Sequence, residues 1–157
     1  MSSTADAEVL SAPNVIEYPF TRTTGPVIGA FMTGLREGVV LGIKGSDGRV
    51  LVPPPEYDPV TAAELTELVE VSDVGQVVSW AWMRTPLETQ PLDRPFAWAL
   101  VKLDGADTAM LHALDAGSPE AVSTGMRVKV RWRAEREGNI TDIECFEPIG
   151  SSDGGGA

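Results

Sequence analysis

The chain is 157 residues long and carries 12 basic against 23 acidic residues, a net charge of −11. That length allows one ordinary domain, or a domain with a small appendage, and excludes a multidomain enzyme. Apolar residues at 43% and charged residues at 22% exclude wholesale disorder, no stretch reaches the roughly 20 apolar residues of a membrane span, and a field of this sign repels nucleic acid.

Residues 1–17 are small and polar and read as a disordered tail. They hold neither the basic start nor the apolar run of a secretory leader, so a cytoplasmic location is expected. Gly25 to Gly38 places Val27, Ile28, Phe31 and Leu35 at spacings of three and four, with Pro26 suited to a first turn and Gly38 to a stop, which predicts a short amphipathic helix. Gly29 and Gly34 weaken it by roughly 1 kcal/mol each against alanine, so it needs a surface to fold on, and a partner is one source of that surface. Gly38 to Val52 forms two strand-like runs around Gly45-Ser46-Asp47-Gly48, a hairpin signal. Pro53, Pro54, Pro55 and Pro59 then forbid helix interior and central strand, giving a stiff loop over residues 53–62 and a division between residues 18–62 and 63–148.

From Leu65 the pattern is β. Leu65 to Val71, Gln76 to Met83, Phe96 to Leu103, Thr108 to Leu114, Arg127 to Arg136 and Ile140 to Phe146 read as short strands bounded by turn residues. Met126, Val128, Val130 and Trp132 alternate with Arg127, Lys129, Arg131 and Arg133, which puts an apolar and a basic face on one strand. About five strands with Gly-rich turns fit a closed OB-fold barrel better than a seven-strand sandwich, and Gly117 to Val122 supplies a single helical turn within it. The fold class is therefore mainly β, a five-stranded OB-fold barrel preceded by a helix and a hairpin. Residues 149–157, nearly all Gly, Ser and Ala, read as a second disordered tail.

No catalytic constellation assembles from these residues. Cys145, the single cysteine, excludes an internal disulfide and any multi-cysteine metal site, and its neighbours Glu144 and Glu147 raise a thiol pKa, which makes it structural. His112, the single histidine, reads as a partly exposed or hydrogen-bonded strand residue and is kept only as a ligand-contact candidate. Asp104-Gly105-Ala106-Asp107 is explained by a turn, and Glu64, Glu67, Glu70 and Asp73 by a solvated face. Trp80 and Trp82 share a strand face, and Trp98 and Trp132 lie on neighbouring strands. Buried core is the leading account of them, with a stacking platform beside Arg131 and Arg133 as the rival. GxxxxGK[ST], GxGxxG and GxSxG are all absent, so no enzyme activity of its own is expected.

The order of helix, hairpin, Pro-Pro loop and barrel resembles the zinc-ribbon/OB-fold proteins, domain of unknown function 35, that accompany thiolase-like acyl-CoA enzymes. The likeness is carried by residues 29–38 (GAFMTGLREG), 48–54 (GRVLVPP), 75–80 (GQVVSW), 95–107 (PFAWALVKLDGAD) and 124–130 (TGMRVKV). Members of that family hold zinc in a rubredoxin-like ribbon with two CxxC pairs. The corresponding positions here are Lys44, Asp47, Tyr57 and Val60, which cannot form a thiolate site, so a metal-free ribbon held by Val39, Leu41, Ile43, Val50, Val52 and the prolines is expected. The resemblance implies a non-catalytic accessory subunit in a hetero-oligomer with a thiolase-fold aldolase or thiolase. It implies no cofactor of its own, with a coenzyme A thioester as the partner's substrate and steroid side-chain degradation as the setting. Docking is expected through Phe31, Leu35, Pro53, Pro54 and Pro55. The alternative is a stand-alone acyl-CoA or nucleotide-binding module using Trp80, Trp82, His112, Arg131 and Arg133.

Overall fold

A computed structural model describes residues 11–21 and 23–150. The tails expected at 1–17 and 149–157 lie mostly outside these residues, and described residues 11–17 form neither helix nor strand. The helix α1 (Pro26–Glu37) forms where the apolar spacing predicts it, with Pro26 in its first turn. Its N-cap residue, Gly25, has no side chain to offer. The orphan N–H groups of Val27 and Ile28 instead donate to the carboxylate of Glu56, at 3.2 and 3.0 Å, so the proline-rich loop caps the helix from 28 residues away. Gly38 stops it in the left-handed conformation, φ 78°, returning N–H bonds to the last turn.

Strands β1 (Val40–Lys44) and β2 (Val50–Leu51) form the expected hairpin, pairing Ile43 with Leu51. Strand β3 (Leu68–Val71) lies on the other edge of β1, with Val40 opposite Val71 and Ile43 opposite Leu68. The run read as the first strand of the barrel thus completes a three-stranded sheet ordered β2-β1-β3. The physical reason is the open edge: β2 covers two residues on one side of β1, and β3 satisfies the backbone groups on the other.

The remaining strands are β4 (Val74–Met83), β5 (Phe96–Leu103), β6 (Met110–Leu114), β7 (Arg127–Trp132) and β8 (Ile143–Pro148). They close into a barrel in the order β4-β5-β6-β8-β7, parallel only between β6 and β8. A 3₁₀ turn at Pro119–Ala121 stands where the single helical turn is expected. A second, at Ile140–Asp142, cuts the last two strands shorter than their apolar patterns. Asn139 and Asp142 cap it reciprocally, which favours the turn over continued pairing.

One apolar cluster runs from the helix through the barrel and includes Phe31, Leu35, Val40, Val52, Val77, Val101, Leu114, Val128 and Phe146. The surface that the glycine-weakened helix needs is therefore supplied by its own chain. Trp80 and Trp82 also pack against this cluster, and an extra residue puts them there. The β4–β5 register shifts between Val77 and Ser79, so that Val77 faces Val101 while Trp80 and Trp82 face buried Ala99 and Ala97. Without that bulge the tryptophans would share the outer face with Leu100. Among the described residues no helix is long and apolar enough to cross a membrane.

Candidate functional site

The ribbon loops come first, because the resemblance puts metal ligands there. Lys44 pairs with Glu67 at 3.3 Å and Asp47 with Arg49 at 2.6 Å, while Tyr57 and Val60 are exposed. These side chains do not fit a zinc ion: one is a cation, another is neutralised, and two turn outward. Among the described residues no group of three or more His, Cys, Asp or Glu is placed to hold a metal. Asp58, 3% exposed, ties the two loops together. It accepts from the backbone N–H of Ser46 at 2.6 Å in one loop and from Val60 and Thr61 at 2.7 and 3.0 Å in the other. The N–H groups of Ser46, Thr61 and Val60 hold its pKa well below the usual carboxylate range. Sequence reasoning passed over Asp58. Its place before Pro59 is the signal, since Asp at the start of a turn captures N–H groups two and three residues on.

Five residues were expected to meet a partner. Phe31 is 3% exposed and Leu35 fully buried, and Pro54 is buried too, so these three belong to the chain's own core and are corrected as docking residues. Phe31 and Leu35 face inward because they lie on the helix stripe that also carries buried Val27 and Gly34, and that stripe is covered by the sheet and barrel. Pro53 is exposed and Pro55 half-buried.

The expected ligand contacts do not converge either. Trp80 and Trp82 lie against the core. Arg131 is held by Asp115, Glu144 and Glu147 at 3.0, 2.8 and 3.3 Å. Burial works against its charge, but the bonds from Asp115 and Glu144 outweigh that and raise its pKa. Arg127 is bonded through both terminal nitrogens to Asp104, and Lys129 pairs with Glu147 at 3.3 Å. The basic face of β7 is thus largely neutralised from β8 and the turns beside it. The Asp104 to Asp107 segment is the expected turn, in which Asp107 accepts from the N–H of Val50 at 2.8 Å and fastens β2 to the barrel. Cys145 is fully buried, and burial pushes its thiol up to about 11 against the pull of Arg131, so it is no nucleophile at neutral pH.

His112 and Arg133 do come together. Both line a niche of about 190 Å³ with Trp98, Leu111, Ile140 and Ile143. His112 is 7% exposed, so of the two expected readings, partly exposed or hydrogen-bonded, the first is corrected, and its ring meets Phe146 edge-on with centroids 6.0 Å apart. The inversion arises on β6, where Met110, His112 and Leu114 are buried and Leu111 is left 60% exposed. Desolvation lowers the His112 pKa, keeping the imidazole neutral at pH 7. Trp98 is among the aromatics weighed as core or stacking platform, while Leu111 and Ile140 each read from sequence as an ordinary strand apolar residue.

Residues 68–133 match the family described as ChsH2, C-terminal OB-fold domain. A curated relative, a DUF35 domain-containing scaffold protein of Pyrococcus furiosus, is 28% identical over 98 residues, which is 62% of this chain and 71% of that protein. Among solved structures, a DUF35-family protein of unknown function from Sulfolobus solfataricus aligns with a TM-score of 0.60 at 21% identity, covering 80% of this chain and 85% of that one. The Ltp2-ChsH2(DUF35) aldolase aligns with a TM-score of 0.57, also at 21%, over 81% of this chain and 98% of that one. At such identity the two structures speak to fold alone. The family match over residues 68–133, the DUF35 domain of the curated relative and the closed five-stranded barrel agree, and over these residues the chain is similar to the OB-fold domain of DUF35 proteins.

Proposed function

We propose that this chain is a non-catalytic accessory subunit that binds and stabilises a thiolase-fold acyl-CoA enzyme in the cytoplasm. The partner is an aldolase of steroid side-chain degradation, and a coenzyme A thioester is the partner's substrate. The observation that carries the reading is the likeness to DUF35 proteins: a curated relative is named a scaffold protein, and the same fold occurs in the Ltp2-ChsH2(DUF35) aldolase. The chemistry of the described residues supports it. The single cysteine and the single histidine, the side chains best suited to nucleophile and base work, are both buried, and the thiol is raised to about 11. The steroid setting and the CoA substrate rest on the family resemblance. Since Phe31 and Leu35 are core, docking falls to exposed surface, with Pro53 and Pro55 as the retained part of the expected contact set.

The test is co-expression with the thiolase-like protein encoded nearest to this chain, followed by size-exclusion chromatography with light scattering. A single peak whose mass holds both chains is expected, with aldolase activity that is lost when this chain is withheld. Two separate peaks would overturn the proposal and shift the weight to a stand-alone module.

A further inference from the structure

At the niche beside β6 local sequence and local structure disagree. On an amphipathic strand, leucine belongs inside and histidine outside, yet β6 exposes Leu111 and buries His112. Among the described residues the Nδ1 atom of His112 is buried without a hydrogen-bond partner, so its desolvation is uncompensated. Both residues line the same concavity, and Arg133 at its rim makes no ion pair among the described residues. Departures of this kind concentrate at functional sites.

We infer that this niche binds a compact, uncharged, ring-sized group carrying a carbonyl oxygen. Size follows from the volume of about 190 Å³, since apolar cavities of about 150 Å³ accept a benzene ring. The apolar body follows from Trp98, Leu111, Ile140 and Ile143, which form the walls. Neutrality follows from the charges. The chain carries −11, and Glu144 at the edge of the niche is already engaged by Arg131, so an added anion meets an acidic field. A cation would face Arg133. The carbonyl follows from Arg133, because a guanidinium donates and never accepts. The wider hollow along residues 86–94, edged by Glu88 and Asp93, offers no comparable apolar wall.

The probe is acetophenone, titrated into the full chain. Because His112 is the single histidine, its imidazole signals in a ¹H–¹³C spectrum report on the niche without ambiguity. Saturable shifts in the millimolar range are expected, with benzoate and benzylamine binding at least about tenfold more weakly. Leu111→Glu places a charge on the wall and is expected to abolish the shifts. Arg133→Gln is expected to weaken acetophenone severalfold and leave benzene unchanged, which separates lost hydrogen bonding from lost shape. Both positions are exposed, and far-UV circular dichroism confirms that each variant is folded. No saturable shift, binding of benzoate as tight as that of acetophenone, or indifference to both substitutions would overturn the site. None of these readouts requires the partner enzyme.

Discussion

The ribbon and the barrel solve the same problem with different chemistry. The barrel closes its own edges and fills its interior with Val77, Val101, Leu103, Met110, Leu114, Val128 and Phe146, all nearly or fully buried. The ribbon has a two-residue strand, a four-residue strand and no metal-binding set among its described residues. Beside a small apolar cluster of Val27, Ile43 and Leu51, its joints are polar: Glu56 caps the helix, Asp58 ties the two loops, and Asp107 and the Thr108 hydroxyl fasten the second strand and its end to the barrel. A region that buries only a small core of its own is held in addition by charge-assisted hydrogen bonds to backbone N–H groups and by leaning on the larger one. The two regions should therefore respond differently to cavities and to acid.

The largest effect is expected from the barrel. Phe146→Ala empties a fully buried site and should cost about 3–5 kcal/mol in urea denaturation, enough to unfold much of the population. Leu35→Ala comes next, at about 2–5 kcal/mol, because the helix residue belongs to the same cluster. This sharpens the comparison. If Leu35→Ala left the chain's own stability unchanged and weakened only a complex, the helix would be an interface after all. Gly75→Ala tests close packing without removing apolar surface. A Cβ there would lie 2.5 Å from the Lys102 carbonyl oxygen and 2.9 Å from the Leu103 Cα, both backbone atoms that cannot swing aside. A loss of about 1–3 kcal/mol is expected, and a neutral result would mean that β4 and β5 are less tightly joined than their ladder implies.

These sites also show what could be read in advance. The alternation from Met126 to Trp132 declares its two faces in one dimension, and Val128 and Val130 are indeed buried beneath exposed Arg127 and Lys129. The helix stripe was equally plain, but a stripe says only that something covers it, and the choice between partner and own barrel is a matter of topology. Trp80 and Trp82 turn inward through a single inserted residue, which no period-2 count can place. The carboxylates that neutralise Arg131 come from residues 115, 144 and 147 and meet only when β6 and β8 pair. In the niche, Leu111 and His112 were visible as alternating, while which of them faced inward was not.

Acid should separate the ribbon from the barrel core. The folded pKa of Asp58 is depressed below its unfolded value of about 3.9 by the N–H groups of Ser46, Thr61 and Val60. Its contribution is therefore complete above that unfolded value and is lost as pH falls through the folded one. Asp142 behaves alike, since the N–H groups of Asn139, Glu137 and Gly138 outweigh the opposing effect of its burial. Asp58→Asn keeps the shape but retains one acceptor oxygen where two are used. It is expected to lower the Tm by several degrees at pH 7 and to flatten the fall in stability below about pH 4. Hydrogen exchange at Ser46, Val60 and Thr61 should quicken well before exchange at Val101 or Val128. Equal acceleration in both regions would mean that the ribbon and barrel unfold as one unit.

The smallest effect should come from the best-looking ion pair on the barrel surface. Arg127 binds Asp104 through two nitrogens, a geometry that invites a large estimate, and the pairing raises the pKa of the one and lowers that of the other. Both side chains are about half exposed, at 46% and 50%. Water solvates each charge nearly as well as the partner does, and two flexible chains lose freedom in pairing. Arg127→Gln should therefore move the Tm by about a degree or less, and the difference should vanish in about 1 M salt, where the screening length falls to about 3 Å. A shift of several degrees that persists in high salt would show that the pair acts as a joint of the kind Asp58 makes in the ribbon, and the division between a barrel held by apolar contact and a ribbon held by carboxylates would fail at that point.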